Sequence, residues 1–282
     1  MNDMGRIGLV GVQAEIRPLL HAFCERSRDK QGEANLLIGQ IGRQAVILAE
    51  VLPGPVNAAL GAQALIARHG ARCLIGFGSA GALDPHLSLG EVVVSRQAVA
   101  HDAGILCGQR FQHAGIMGRD EKGQVGHRRA FAADAELVAL AEAAARSVGQ
   151  VARVGTVVSG NQVVLATARK RWLHRTFDAL AVDMETAAVA QVAVAHRLPW
   201  VAVRAISDRA GDELALDYSR LRVYLDEGRP AWRYRVRRWS YLLSHPAALR
   251  RLHRLRQGLT TAAGCAAQVV VAMLHAATGP AE

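Results

Sequence analysis

A chain of 282 residues with 51% hydrophobic and 21% charged side chains can bury a core of its own, which excludes disorder over most of its length. Cys24, Cys73, Cys107 and Cys265 are scattered without paired spacing, so they form neither a disulfide framework nor a zinc signature and suit a reducing compartment. The net charge of +10 is gathered near the carboxyl end: no acid lies between Gly228 and Ala281, while nine arginines stand between Arg229 and Arg256.

The first six residues lack the long apolar core of a signal peptide, and a cytoplasmic protein is expected. Residues 7–12 read as a first strand, followed by a turn that carries Glu15, the one carboxylate between Asp3 and Glu25. Residues 45–52 form a second strand-like run. The stretch 55–69 predicts a helix, with Pro55 in its first turn and Gly70 just past its end. A strand over 73–77 runs into Gly76-Phe77-Gly78-Ser79-Ala80-Gly81, where the absence of bulky side chains lets the backbone of Ser79, Ala80 and Gly81 approach a ligand. After a strand over 91–95, residues 108–129 are glycine- and charge-rich without periodicity and read as a long surface loop over or near a pocket. Asp134 can cap a helix running to Val148, closed by Gly149. A strand over 154–158, an almost wholly apolar helix over 184–196 and a strand over 200–206 complete the pattern. Strands alternating with helices predict an α/β fold: a three-layer α/β/α body around a central mixed, twisted sheet, with a helical C-terminal extension. The division expected is a catalytic domain over 1–217 and an arginine-rich helical extension over 218–282. Lys30, Lys122 and Lys170, the only lysines, are read as a compositional bias without mechanistic weight.

Two acids stand out at the ends of apolar runs, in Ala181-Val182-Asp183-Met184-Glu185-Thr186 and Val203-Arg204-Ala205-Ile206-Ser207-Asp208. In α/β proteins chemistry gathers at the carboxyl ends of strands, where one acid could grip vicinal hydroxyls and the other donate a proton. Taken alone, Ser207-Asp208 also suits a helix cap, and Glu185 suits a helix start.

These segments, together with Leu83-Asp84-Pro85 and Gly90-Glu91-Val92-Val93-Val94-Ser95, resemble the nucleoside phosphorylase and nucleosidase superfamily, above all the methylthioadenosine/S-adenosylhomocysteine nucleosidases. The resemblance spans residues 7–208. It implies cleavage of an N-ribosidic bond in a small-molecule nucleoside, with no metal and no organic cofactor. Glu15 would activate water, Glu185 would hold the ribose above Met184, and Asp208 beside Ser207 would protonate the departing purine. His101-Asp102 corresponds to a His-Asp pair of the nucleosidases, for which a structural role is favoured over a catalytic one. Where the nucleosidases set an aromatic residue against adenine, this chain has Val163 and Val164 after Ser159-Gly160-Asn161-Gln162. The phosphorylases of the superfamily carry arginines in the first loop and before the glycine-serine turn; here Glu15 and Gly76 stand instead, so hydrolysis is favoured over phosphorolysis. The family also implies a homodimer.

The tail admits three readings: a basic helix pair packed on the core, which is favoured, contact with an anionic membrane through Arg229 to Arg256, or, as the weakest, nucleic acid. His245-Pro246-Ala247-Ala248-Leu249-Arg250 is similar to the extension of hopanoid-associated phosphorylase-like proteins, which keeps a lipid-linked adenosine as an alternative substrate and a non-enzymatic, membrane-interacting protein as the rival class.

Overall fold

The computed structural model describes residues 5–119, 122–212 and 245–277. The expected boundary at 217/218 and the arginines from 229 to 238 lie outside the described residues. The chain opens with β1 (Ile7–Val12), a single turn of helix α1 (Arg17–Leu20), and the strands β2 (Phe23–Gln31), β3 (Ala34–Ile41) and β4 (Gln44–Val51). Helix α2 (Pro55–His69) has the predicted bounds, ending where Gly70 turns left-handed. There follow β5 (Cys73–Ala82), β6 (Val92–Ala100), the short strands β7 (Gly104–Cys107), β8 (Arg110–His113), β9 (Ile116–Arg119), β10 (Val125–Arg128) and β11 (Phe131–Ala132), and helix α3 (Ala135–Ser147). Asp134 caps α3 as expected, its side chain accepting from the Leu137 amide at 3.0 Å. The remainder is β12 (Ala152–Ser159), α4 (Thr167–Phe177), β13 (Ala179–Asp183), α5 (Thr186–Ala195), β14 (Trp200–Asp208) and α6 (Pro246–Ala277).

Ten strands make one mixed sheet in the order β11-β6-β12-β13-β5-β1-β4-β3-β2, with β14 paired to β5 and β6. Period-two alternation sends the strand side chains into two cores. Ile7 and Leu9 of β1, Ile75 and Phe77 of β5, and Val201 and Val203 of β14 face α1, α3 and α6. Val10, Val12, Leu74, Trp200 and Ala202 face α2 and α5. The expected three layers follow directly.

Strand β5 runs to Ala82, beyond the predicted end at 77, because β14 pairs with it from Trp200↔Leu74 through Asp208↔Gly81 and holds the glycine-rich stretch in the ladder. The surface loop expected over 108–129 is corrected: it forms parts of two antiparallel hairpins, β7–β8 and β9–β10. Both faces of these strands are largely exposed, so their sequence shows no alternation. Phe111 and His113 of the first hairpin pack edge-on against Trp172 and Phe177 of α4, with ring centroids 6.4 and 5.0 Å apart.

Helix α6 packs on β14, β5, α3 and α1. Leu249–Ala277 is long and apolar enough to cross a membrane by length and composition. Its inward stripe, however, is core: Val269, Val270, Met273 and Leu274 are fully buried. At roughly 1.5–3 kcal/mol for each buried side chain, these four alone tie the helix firmly to the sheet. The charge-free run over 258–274 is thereby explained by packing. Where α6 crosses the end of β14, a Cβ on Gly258 would stand 2.0 Å from the Ser207 carbonyl oxygen, so only glycine permits this approach.

Candidate active site

The carboxyl ends of β1, β5, β13 and β14 converge on a cavity of about 380 Å³. Every residue proposed from the sequence for this site lines it: Glu15, Ser79, Ala80, Gly81, Val163, Val164, Met184, Glu185, Ser207 and Asp208. Larger clefts of about 880 and 910 Å³ lie under the β9–β10 hairpin and beside α6. Neither gathers the buried acids; the second shares with the site only Ser207, Asp208 and Leu255.

At one end stands Glu15, presented by the turn after β1. Its carboxylate accepts from the Ser79 amide at 3.1 Å and from the Ser79 hydroxyl. Burial pushes its pKa up, against the opposing pull of the Arg204 charge and the Ser79 hydrogen bonds. Gly78, at φ +145°, makes room for it: a Cβ there would lie 2.0 Å from Glu15 Oε2.

Glu185 lies between β13 and α5. It caps no helix amide of α5; instead its Oε1 accepts from the backbone amide of Gly54, at the head of α2, at 2.9 Å. Burial lifts its pKa to about 7, with Asp183 adding to the rise and Arg204 resisting it. Between Glu15 and Glu185 sits Arg204, buried in the middle of β14. Its Nε reaches Asp183 Oδ2 at 2.8 Å and Thr186 Oγ1 at 3.0 Å, and its Nη1 lies 3.7 Å from Glu185 Oε2. Burial opposes the guanidinium charge, but Asp183, Glu185 and Glu15 together hold its pKa above the ordinary value. Asp183 is in turn fixed by the Ser159 hydroxyl at 2.5 Å and by Thr186. A buried charge with this many partners is a rigid fitting rather than a surface pair.

At the opposite end is Asp208. Among the described residues its carboxylate accepts from side chains, those of Ser207 and Lys170, and not from a backbone amide as a helix cap would. Its Oδ1 accepts from the Ser207 hydroxyl at 2.7 Å, which also lies 3.2 Å from the Ala80 carbonyl oxygen. Its Oδ2 accepts from Lys170 Nζ at 2.5 Å. Lys170 is completely buried and donates also to the Arg209 carbonyl at 2.7 Å. Sequence reasoning, which read the lysines only as a compositional bias, did not find this ion pair. The signal was present: along α4, Lys170 shares a stripe with Leu173 and Phe177 at spacings of three and four, the inward face.

The walls between these ends are aliphatic. Val163 is 67% exposed at the mouth and Val164 lies deeper. Leu255 and Leu259 of α6 complete the enclosure, a contribution that sequence reasoning missed. His101 and Asp102 stand outside the lining: His101 is buried and Asp102 Oδ2 accepts from the Asn161 amide at 2.9 Å.

Fold and cavity together define an α/β protein of the kind that takes a small polar ligand at the carboxyl ends of its strands, with acids at both ends of the cleft. The chain belongs to the phosphorylase superfamily, whose family model matches residues 6–222. A 5′-methylthioadenosine/S-adenosylhomocysteine nucleosidase of a Marinomonas species is 36% identical over 214 residues, spanning 74% of this chain and 88% of that protein. The one from Mycobacterium bovis is 29% identical over 228 residues, 76% of this chain and 89% of its own length. Among solved structures, the nucleosidase of the same description from Neisseria meningitidis, in complex with methylthio-immucillin-A, superposes with a TM-score of 0.73 at 26% identity, covering 96% of this chain and 99% of that one. The futalosine hydrolase of Helicobacter pylori shares the fold at a TM-score of 0.72 and 23% identity, covering 97% and 98%.

Proposed function

We propose that the protein hydrolyses the N-glycosidic bond of a 5′-substituted adenosine and releases adenine. The observation that carries this reading is the convergence of Glu15, Glu185 and Asp208 on one aliphatic-walled cavity. The names of the relatives supply the substrate class.

Cleavage of the C1′–N9 bond develops positive charge on the ribose and negative charge on the base, by analogy with O-glycoside hydrolysis. Glu15, a carboxylate whose proton affinity is raised by burial, takes a proton from water as the water attacks C1′. Glu185 accepts from the ribose hydroxyls, with its charge favouring the developing cation. Arg204, clamped by Asp183, offsets part of the repulsion between the two glutamates. Asp208 protonates N7, so that the base departs neutral. Val163 and Val164 bound the base by contact rather than by stacking.

Among the described residues that line the cavity none is arginine or lysine. Arg204 is already committed to Asp183, and a phosphate dianion beside Glu15 and Glu185 would meet like charge. Water is thus the favoured nucleophile. Incubation of the purified protein with methylthioadenosine and S-adenosylhomocysteine, with and without phosphate, should release free adenine in both conditions, read by chromatography. Strict dependence on phosphate would refute hydrolysis, and no adenine from either substrate would refute the nucleosidase reading.

A further inference from the structure

We infer that Lys170 is a positioning residue for the proton donor, and that it works by stabilising the carboxylate left on Asp208 after the proton has gone. This inference rests on the hydrolytic reading above. A lysine with no exposed surface is a costly thing to bury, and burial of a charged group is sustained only by close partners. Here two acceptors are provided, Asp208 Oδ2 at 2.5 Å and the Arg209 carbonyl at 2.7 Å. Both lie at the end of β14, so the lysine joins α4 to the strand terminus that faces the cavity.

The two oxygens of Asp208 are therefore unlike. Among the described residues, Oδ2 is held by the ammonium, whereas Oδ1 accepts from the Ser207 hydroxyl, at 2.7 Å. With a proton on Oδ1 directed into the cavity, Asp208 still accepts from the Ser207 hydroxyl at that oxygen. In the reaction the C1′–N9 pair of electrons passes to the base, the Oδ1 proton passes to N7, and Glu15 holds the proton taken from water. Asp208 is left ionised. The Ser207 hydroxyl goes on donating to Oδ1, and Lys170 already faces Oδ2. Both states use the same heavy-atom positions, so the charge that appears on Asp208 meets a preformed partner without reorganisation. In the enzyme that carries the Oδ1 proton, an interaction stronger after proton transfer than before it lowers the barrier of the proton step.

The test compares the wild-type protein with Lys170→Met, Lys170→Gln, Asp208→Asn and the double variant Lys170→Met/Asp208→Asn, each checked by circular dichroism, with methylthioadenosine as substrate. Asp208→Asn should lower kcat by ~10²–10⁴-fold. Lys170→Met should lower kcat by at least about tenfold while KM stays within a few-fold, because the lysine acts only on the proton step. In the Asp208→Asn background the same lysine change should cost almost nothing more, since the group it serves is gone. Lys170→Gln retains a donor but no charge, and should also lose turnover; it carries the test if the methionine variant does not fold. Full turnover in Lys170→Gln, or losses that multiply in the double variant, would overturn the inference while leaving the hydrolytic reading intact. A wild-type protein that releases no adenine would overturn both.

Discussion

Glu185 shows how strongly a single residue's surroundings set its chemistry. It is only 6% exposed, and burial holds its pKa at about 7, far above the ordinary 4.5. Its ionised form is the better acceptor for ribose hydroxyls, so riboside affinity should strengthen as pH rises through about 7. Stability should run the other way. The folded protein binds this proton more tightly than the unfolded chain does, so the contribution is whole below 4.5 and is lost as pH rises towards about 7. Calorimetric titration of a riboside and thermal unfolding, each repeated across that interval, should show both slopes, and Glu185→Gln should flatten them. A variant that kept the wild-type slopes would place the titrating group elsewhere. Glu185, like Glu15 and Asp208, was legible because a carboxylate follows an apolar strand in the sequence. Arg204 and Lys170 were not assigned, because their roles depend on partners 21 and 38 positions away in the chain. An arginine inside an apolar run such as Val203-Arg204-Ala205 is nonetheless a sign that buried acids await it.

At the scale of elements, legibility followed one-sidedness. Helix α2 and strand β1 were read to their last residues, since each has a buried face and clear punctuation. The β7–β8 and β9–β10 hairpins, exposed on both faces, left no pattern to read. Helix α6 was legible only in part: its arginines, its charge-free run and a packing role on the core could be read, but not that β14 is the strand it rests on. Two glycines within α6 make the packing testable with opposite signs. Gly258→Ala would drive a methyl into the Ser207 carbonyl and should destabilise the protein by about 1–3 kcal/mol, as overpacked cores do. Turnover should fall with it, because Ser207 and Asp208 sit at that contact. Gly264→Ala meets nothing within 4 Å and should instead stabilise the helix by up to ~1 kcal/mol. Chemical denaturation of the pair decides, and a harmless Gly258→Ala would mean that α6 does not rest on β14 as described.

On the scale of the whole molecule, the site is assembled from parts far apart in sequence. The turn after β1 brings Glu15, β13 and β14 bring Glu185 and Asp208, and α6 brings Leu255 and Leu259 from beyond residue 245. A ligand filling this cavity touches both the sheet and the last helix, so it acts as a bridge between them. Detachment of α6 would forfeit the ligand's contacts, and occupancy must therefore oppose that local opening by mass action, by as much as about 2.7 kcal/mol at a hundred times Kd. Amides along α6 near Leu255 and Leu259 should accordingly exchange with deuterium up to roughly a hundredfold more slowly when adenine or a tight-binding nucleoside analogue is present. Protection confined to β13 and β14 would show that the helix opens independently of the pocket. If the protection reaches α6, the exchange rate of this helix becomes a gauge of how full the cavity is, readable without any turnover at all.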